Sequence, residues 1–251
     1  MKVILNNKMK EILLPDRIFG KNTDEALERV LKGDAQQAPA QNQTQANAPD
    51  LNGFIYVPTI KLHVAKEKTL HGKNFYEAQK EMQNQSQKML TPYEFAEFLK
   101  YLKEDYQKIN KSESDKILDE ILTVRNPWRS EWLDHDYKKE KTGLYVLYHK
   151  FNSRGNIELV KELLDKDTLM EDKTPGINFE DYLNNHTIQG LPKNNIKNGD
   201  LYYWFPRDDN NSVARFNADS DWADLFCVRD SSDSDSSLGV RAAKFSTGNK
   251  G

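Results

Sequence analysis

Apolar residues in this chain fall into periodic runs broken by one long aperiodic stretch. Residues 23–31, TDEALERVL, put Ala26, Leu27, Val30 and Leu31 at helical spacing behind a capping Thr, which predicts a short helix. Residues 33–49 are built from Ala, Gln, Asn and Pro without an aromatic or β-branched apolar side chain. Such a stretch lacks the apolar surface to order itself and reads as a linker. Periodicity resumes at Phe54. Ile55, Val57, Ile60, Leu62 and Val64 alternate around Pro58 as in a hairpin. Residues 74–87 and 91–106 read as helices, the second with Pro92 in its first turn and Phe95, Phe98, Leu99 and Leu102 along one face. Residues 117–124 continue the helical character until Asn126-Pro127 stops it. Residues 143–150 are β-prone, and IELVKELL at 157–164 reads as a short helix between polar loops. LYYWF at 201–205 reads as a buried strand entered through the Asn198-Gly199-Asp200 turn.

The most informative pattern lies in NADSDWADLFCVRDSSDSDSS, residues 217–237. Treated as a strand, Asp224, Phe226, Val228 and Asp230 point one way, and Leu225 and Cys227 point the other, toward the core. The first set is chemically mixed: a solvent face does not ordinarily choose Phe and Val beside two aspartates, nor a core face Asp. Codon arithmetic offers a reason. Changing only the adenines of the Asn codon AAC yields Asp, Phe, Val, Ser and Tyr, and AGG for Arg becomes TGG for Trp. Reverting the mixed positions restores an Asn-studded parent resembling NANSNRANLNCNRN.

The run therefore resembles the diversified tail of the variable proteins of diversity-generating retroelements, whose 3' coding ends are rewritten at adenines. Two further segments carry the resemblance: KMLTPYEFAEFL at 88–99, and the closing SLGVRAAKF at 237–245. They resemble RLPTEAEWE and GFR-x-A-R of the related formylglycine-generating enzymes. The resemblance implies an α+β, C-type-lectin-like domain of small antiparallel sheets with two or more flanking helices. It covers residues 52–251, with a variable region at about 211–245. Before it come an N-terminal helical segment (1–32) and the linker (33–51). The implied function is display of a diversified surface to a variable, protein partner. Its ligand-binding residues are Asp219, Asp221, Trp222, Asp224, Phe226, Val228, Asp230, Asp233 and Asp235, with Ser231 a weaker member, held up by Leu225, Cys227, Leu238, Val240 and Phe245.

Composition narrows the remaining classes. The 36 basic and 39 acidic residues leave a net charge of -3, too little basic field for a phosphate backbone, so nucleic acid is not expected as a partner. No apolar run approaches the ~20 residues that cross a bilayer, so no membrane insertion is expected. The first seventeen residues lack the apolar stretch of a secretory signal, which favours a virus-encoded or intracellular protein. The single cysteine, Cys227, leaves no multi-cysteine metal site and no pair for the copper chemistry of the formylglycine-generating enzymes. The expectation is accordingly a non-enzyme without cofactor, metal or catalytic residues. Asp134, His135 and Asp136 read as a capped loop, and His63, His71, His135, His149 and His186 as scattered surface or core residues. Trp128, Trp132, Tyr202, Tyr203 and Trp204 read as core. Two alternatives stay open: a calcium-dependent lectin using the carboxylates around Asp233 and Asp235, and a formylglycine-generating-like enzyme.

Overall fold

The computed structural model describes residues 51–207 and 212–246, and earlier in the chain four two-residue strands, Lys2–Val3 paired with Ile12–Leu13 and Arg17–Ile18 with Lys21–Asn22. The chain divides into Met1–Asp50 and Leu51–Gly251. The helix expected at 23–31 and the linker at 33–49 lie outside the described residues.

The second unit is α+β, with helices around one 11-stranded mixed sheet. Its elements begin with the expected hairpin, β1 (Phe54–Val57) and β2 (Leu62–Thr69), turned by Lys61 at φ 56°. Helix α1 (Phe75–Asn84) starts on a capping box in which Asn74 accepts from the Glu77 amide and Glu77 reaches back to the Asn74 amide. After β3 (Lys88–Met89), Thr91 and Glu94 form a second capping box with Pro92 behind it, opening α2 (Pro92–Tyr101). A π-turn (Leu102–Tyr106) and one further α-turn (Gln107–Ile109) prolong it to α3 (Lys111–Leu122). Strands β4 (Arg129–Glu140), β5 (Gly143–Phe151), β6 (Ile157–Leu163) and β7 (Lys173–Ile177) follow, then α4 (Phe179–Asn185). The tail supplies β8 (Leu201–Trp204), β9 (Ser212–Ala218), β10 (Ala223–Asp230) and β11 (Leu238–Phe245).

The strands run in the order β7-β8-β10-β9-β4-β11-β2-β1, with β5 and β6 added beside β4 and β3 beside β11. Small separate antiparallel sheets were expected. Instead β8 lies parallel to β10 and β11 parallel to β4, because the chain returns twice to the sheet from the same end. Two further expectations need correction. IELVKEL is a strand: its helix-forming residues satisfy seven successive pairings with β5, and tertiary pairing overrides local propensity. Asp134-His135-Asp136 is not a loop. It lies buried in β4, where Asp134 accepts from the His149 amide at 2.8 Å and Gln79 at 2.9 Å, and Asp136 accepts from the Tyr76 hydroxyl at 2.9 Å.

β4 reads poorly from sequence because both its faces are covered, and polar residues survive there only with partners. On one side Phe95, Phe98, Leu133, Phe216 and Leu225 form the larger core; on the other Phe75, Met82, Trp132 and Val240 form a second. Burying each such side chain contributes about 1.5–3 kcal/mol. Glu131, fully buried, accepts from Arg129 at 2.6 Å and Arg241 at 3.1 Å, while Arg241 also reaches Glu120 on α3 at 2.9 Å. Burial drives the Glu131 carboxyl up, but the Arg241 and Arg129 guanidiniums override it and hold the group at about 2. Lys68 donates to the carbonyls of Ser130 and Ser237, fixing the approach to β11. These ties anchor β4 and β11, the frame beside β9 and β10.

Candidate functional site

Register across β8, β10, β9 and β4 creates two rows of side chains on one sheet face. Tyr202, Asp224, Asn217 and Ser130 form the first, and Trp204, Phe226, Arg215 and Trp132 the second. The strand period of two explains the split: Leu201 and Tyr203 on β8 and Leu225 and Cys227 on β10 point into the larger core, leaving their neighbours on the opposite face. Of the aromatics read as core, Trp132 and Tyr203 are buried as expected. Tyr202, Trp204 and Trp128 are only partly buried, the first two standing on this face. Alternation within LYYW already carried that signal, which aromatic density had outweighed.

Trp222, in the turn between β9 and β10, lies flat against Tyr202, with ring centres 4.8 Å apart and planes 2° from parallel. The turn is held by Asp219, whose Oδ1 accepts the amides of Asp221 at 2.9 Å and Trp222 at 3.0 Å. The indole N–H donates to Asp224 Oδ2 at 3.2 Å, and Asn217 Nδ2 donates to the same oxygen at 3.2 Å. Asp224, expected to point into solvent, is therefore only 2% exposed beneath this lattice. Burial pushes its carboxyl up to about 6, against the pull of Arg215.

Arg215 is the central cation of the face. Its guanidinium lies 5.1 Å from the Phe226 ring centre and 5.5 Å from that of Trp128, with Nη1 4.0 Å from Asp233. Burial, reinforced by repulsion from Arg229, lowers its proton affinity to about 10. Arg229 grips Asp233 through Nε at 2.6 Å and through Nη2. Four buried side-chain atoms on this face, Trp204 Nε1, Arg215 Nε, Asn217 Oδ1 and Asp224 Oδ1, have no hydrogen-bond partner among the described residues. They are half of the eight such atoms found there, so unused hydrogen-bonding capacity concentrates on this face.

The structure separates the ten expected surface residues. Asp221, Asp230 and Asp235 are exposed; Asp219, Trp222, Phe226, Val228 and Asp233 are half-buried; Asp224 and Ser231 are buried. Ser231 is enclosed because its carbonyl accepts the Phe75 amide at the start of α1. Asp230 and Asp235 each accept a backbone amide two residues on, from Ser232 and Ser237. Several of the aspartates thus build the turns that present the face. No group of three His, Cys, Asp or Glu side chains converges among the described residues, and no helix among them is long and apolar enough to cross a membrane. Cys227 is fully buried, and burial drives its thiol up to about 12.

Next to the stacked pair a cleft of about 410 Å³ opens between the end of α3, β7, α4 and the β9–β10 turn. Leu122, Val124, Pro175 and Phe179 line it opposite Tyr202 and Trp222, with Asp200 and Asp221 in its wall. Gly176, at φ 112°, lets β7 approach so closely that any Cβ would collide with the Leu201 backbone. Sequence reading missed Tyr202, Arg215 and Asn217, which join the face only through cross-strand register, and Asp200, which lines the cleft just before β8. Comparison with family descriptions, curated proteins and solved structures found no match.

Proposed function

We propose that this chain is a binding protein of C-type-lectin-like fold whose ligand surface is the β8–β10–β9 face, diversified by adenine-directed retroelement mutagenesis and presented to a protein partner. One observation carries the reading: on β10 the residues that hold the core, Leu225 and Cys227, are fully buried, while the chemically mixed Phe226 and Val228 alternate with them on the opposite side. A strand so divided takes its folding energy from one face and leaves side chains on the other free to vary. Trp222, set flat on Tyr202, is the natural anchor of such a surface, since Trp and Tyr are enriched among the few residues that carry most of the binding energy once a partner desolvates them. Asp224 and Ser231 leave the contacting set in this version. Asp224 instead orients Trp222 from below.

No catalytic role is proposed: the single thiol is buried, and Asp219, Asp230, Asp233 and Asp235 are engaged in turns or with Arg229. The deciding experiment is sequencing of the DNA flanking the gene. The proposal expects a near-repeat of the codons for Val213 to Phe245, with mismatches confined to adenines of the repeat and a reverse-transcriptase gene nearby. Absence of such a repeat overturns diversification.

A further inference from the structure

We infer that the cleft beside Trp222 receives an arginine side chain from the protein partner, with its stem between the apolar walls and its guanidinium at Asp200 and Asp221. The inference rests on the reading of this face as a binding surface. Three features select the occupant. The cleft, about 410 Å³, is small among ligand pockets of ~300–1,000 Å³ and suits one long side chain better than a whole cofactor. Its walls are aliphatic and aromatic: Leu122, Val124, Pro175 and Phe179 face Tyr202 and Trp222. Such walls favour a (CH₂)₃ stem and a planar cation that rests on rings.

Charge decides the rest. Asp200 and Asp221 are exposed carboxylates with no cationic partner within ion-pair distance among the described residues. Lys103, the cation over the Phe179 ring at 5.1 Å, is already paired with Glu180. Elsewhere on the face Asp233 is paired with Arg229 and Asp219, Asp230 and Asp235 hold backbone amides, whereas Asp221 accepts only the neighbouring Ser220 hydroxyl at 3.2 Å. Two carboxylates without an ion pair therefore share the wall of one apolar-lined cleft. Asp221 belongs to the variable set, whereas Asp200 and Tyr202 precede the variable region, so a constant half-site is completed by a variable one.

The test is NMR on the full chain. The indole N–H resonances are followed during titration with N-acetyl-arginine N-methylamide, its neutral citrulline counterpart and the lysine amide; Trp222→Phe identifies the Trp222 signal. Expected is a saturable shift of that signal with the arginine amide, weaker with lysine and absent with citrulline. The double variant D200N/D221N should weaken the arginine amide by about tenfold, as two exposed carboxylates warrant, while all four indole signals keep their dispersion. No saturable shift, or an equal response to citrulline or lysine, overturns the inference. Failure here with an adenine-matched repeat present leaves diversification standing. Arginine binding without the repeat leaves a fixed arginine-binding cleft and removes diversification.

Discussion

Replacing Asp224 with Asn tests how the face is held together. The substitution keeps the shape of the side chain and returns the position to the Asn of the inferred parent. In the folded chain the Asp224 carboxyl stands at about 6 instead of 3.8, principally because it is buried. A displacement of that size makes its charged form roughly 3 kcal/mol harder to carry in the folded than in the unfolded chain. The sign follows from the direction. With a folded value above the unfolded one, the penalty is absent below pH 3.8, grows as pH rises toward about 6, and is complete above it. The amide introduced by D224N removes the charge and still offers an oxygen to the Trp222 indole and to Asn217 Nδ2. Arg215 loses one of the carboxylates that draw it, which offsets part of the gain, although Asp233 remains at 4.0 Å. The net expectation is a D224N variant more stable by roughly 1–2 kcal/mol at about pH 7.5 and equal to the parent chain near pH 4. Urea unfolding at both pH values reads this directly. A variant less stable at the higher pH, or shifted equally at both, refutes the account, and Asp224 would then be an ionised partner of Arg215.

The remaining predictions address the frame and the display. Val228→Asn and Asp230→Ser, on the outward side of β10, should change stability by less than about 1 kcal/mol, whereas Leu225→Ala, fully buried beside them, should cost about 2–5 kcal/mol in the same urea assay. Equal losses on both faces would contradict a freely variable face. Glu131→Gln leaves buried Arg129 and Arg241 with Glu120 as their one remaining carboxylate and should cost about 3 kcal/mol at neutral pH. Because the Glu131 carboxyl is held at about 2, its contribution is present above pH 4.5 and declines as pH falls through about 2. Hence the mutational loss should shrink in acid denaturation curves. Calorimetry with calcium should give no heat, since the carboxylates of the 230–235 turn already hold amides or Arg229; a heat abolished by removing Asp233 and Asp235 would favour a calcium-dependent lectin. Cys227 should react with a maleimide only at the rate of global unfolding, its thiol being buried and held at about 12.

Local chemistry made several elements legible before any coordinates. The helix starts expected at Asn74 and at Thr91-Pro92 are present, and each is closed by a capping box with the Glu three residues on, a contact within one turn. Alternation around Pro58, in LYYW and along 223–230 likewise reports strands, because the pleat itself has period two. The inward course of Leu225 and Cys227 followed from that period alone.

What the chain could not disclose by itself was which elements become neighbours. IELVKEL carries helix-forming residues, and only the waiting edge of β5 makes it a strand. Asp134, His135 and Asp136 look like loop chemistry until β4 is covered on both faces and His149 arrives from a distant segment, and Glu131 meets Arg241 only in the folded sheet. The same holds at the candidate site. Sequence determined that residues 217–237 contain a mixed face and a core face, since that depends on neighbours two positions apart. Tertiary structure decided that Trp222 folds onto Tyr202, that Asp224 is buried beneath it, and that Asp200 shares a cleft with Asp221. Those are consequences of parallel pairing between strands joined by a long connection, and side-chain burial there is set by what the register brings across the sheet, which no local pattern encodes.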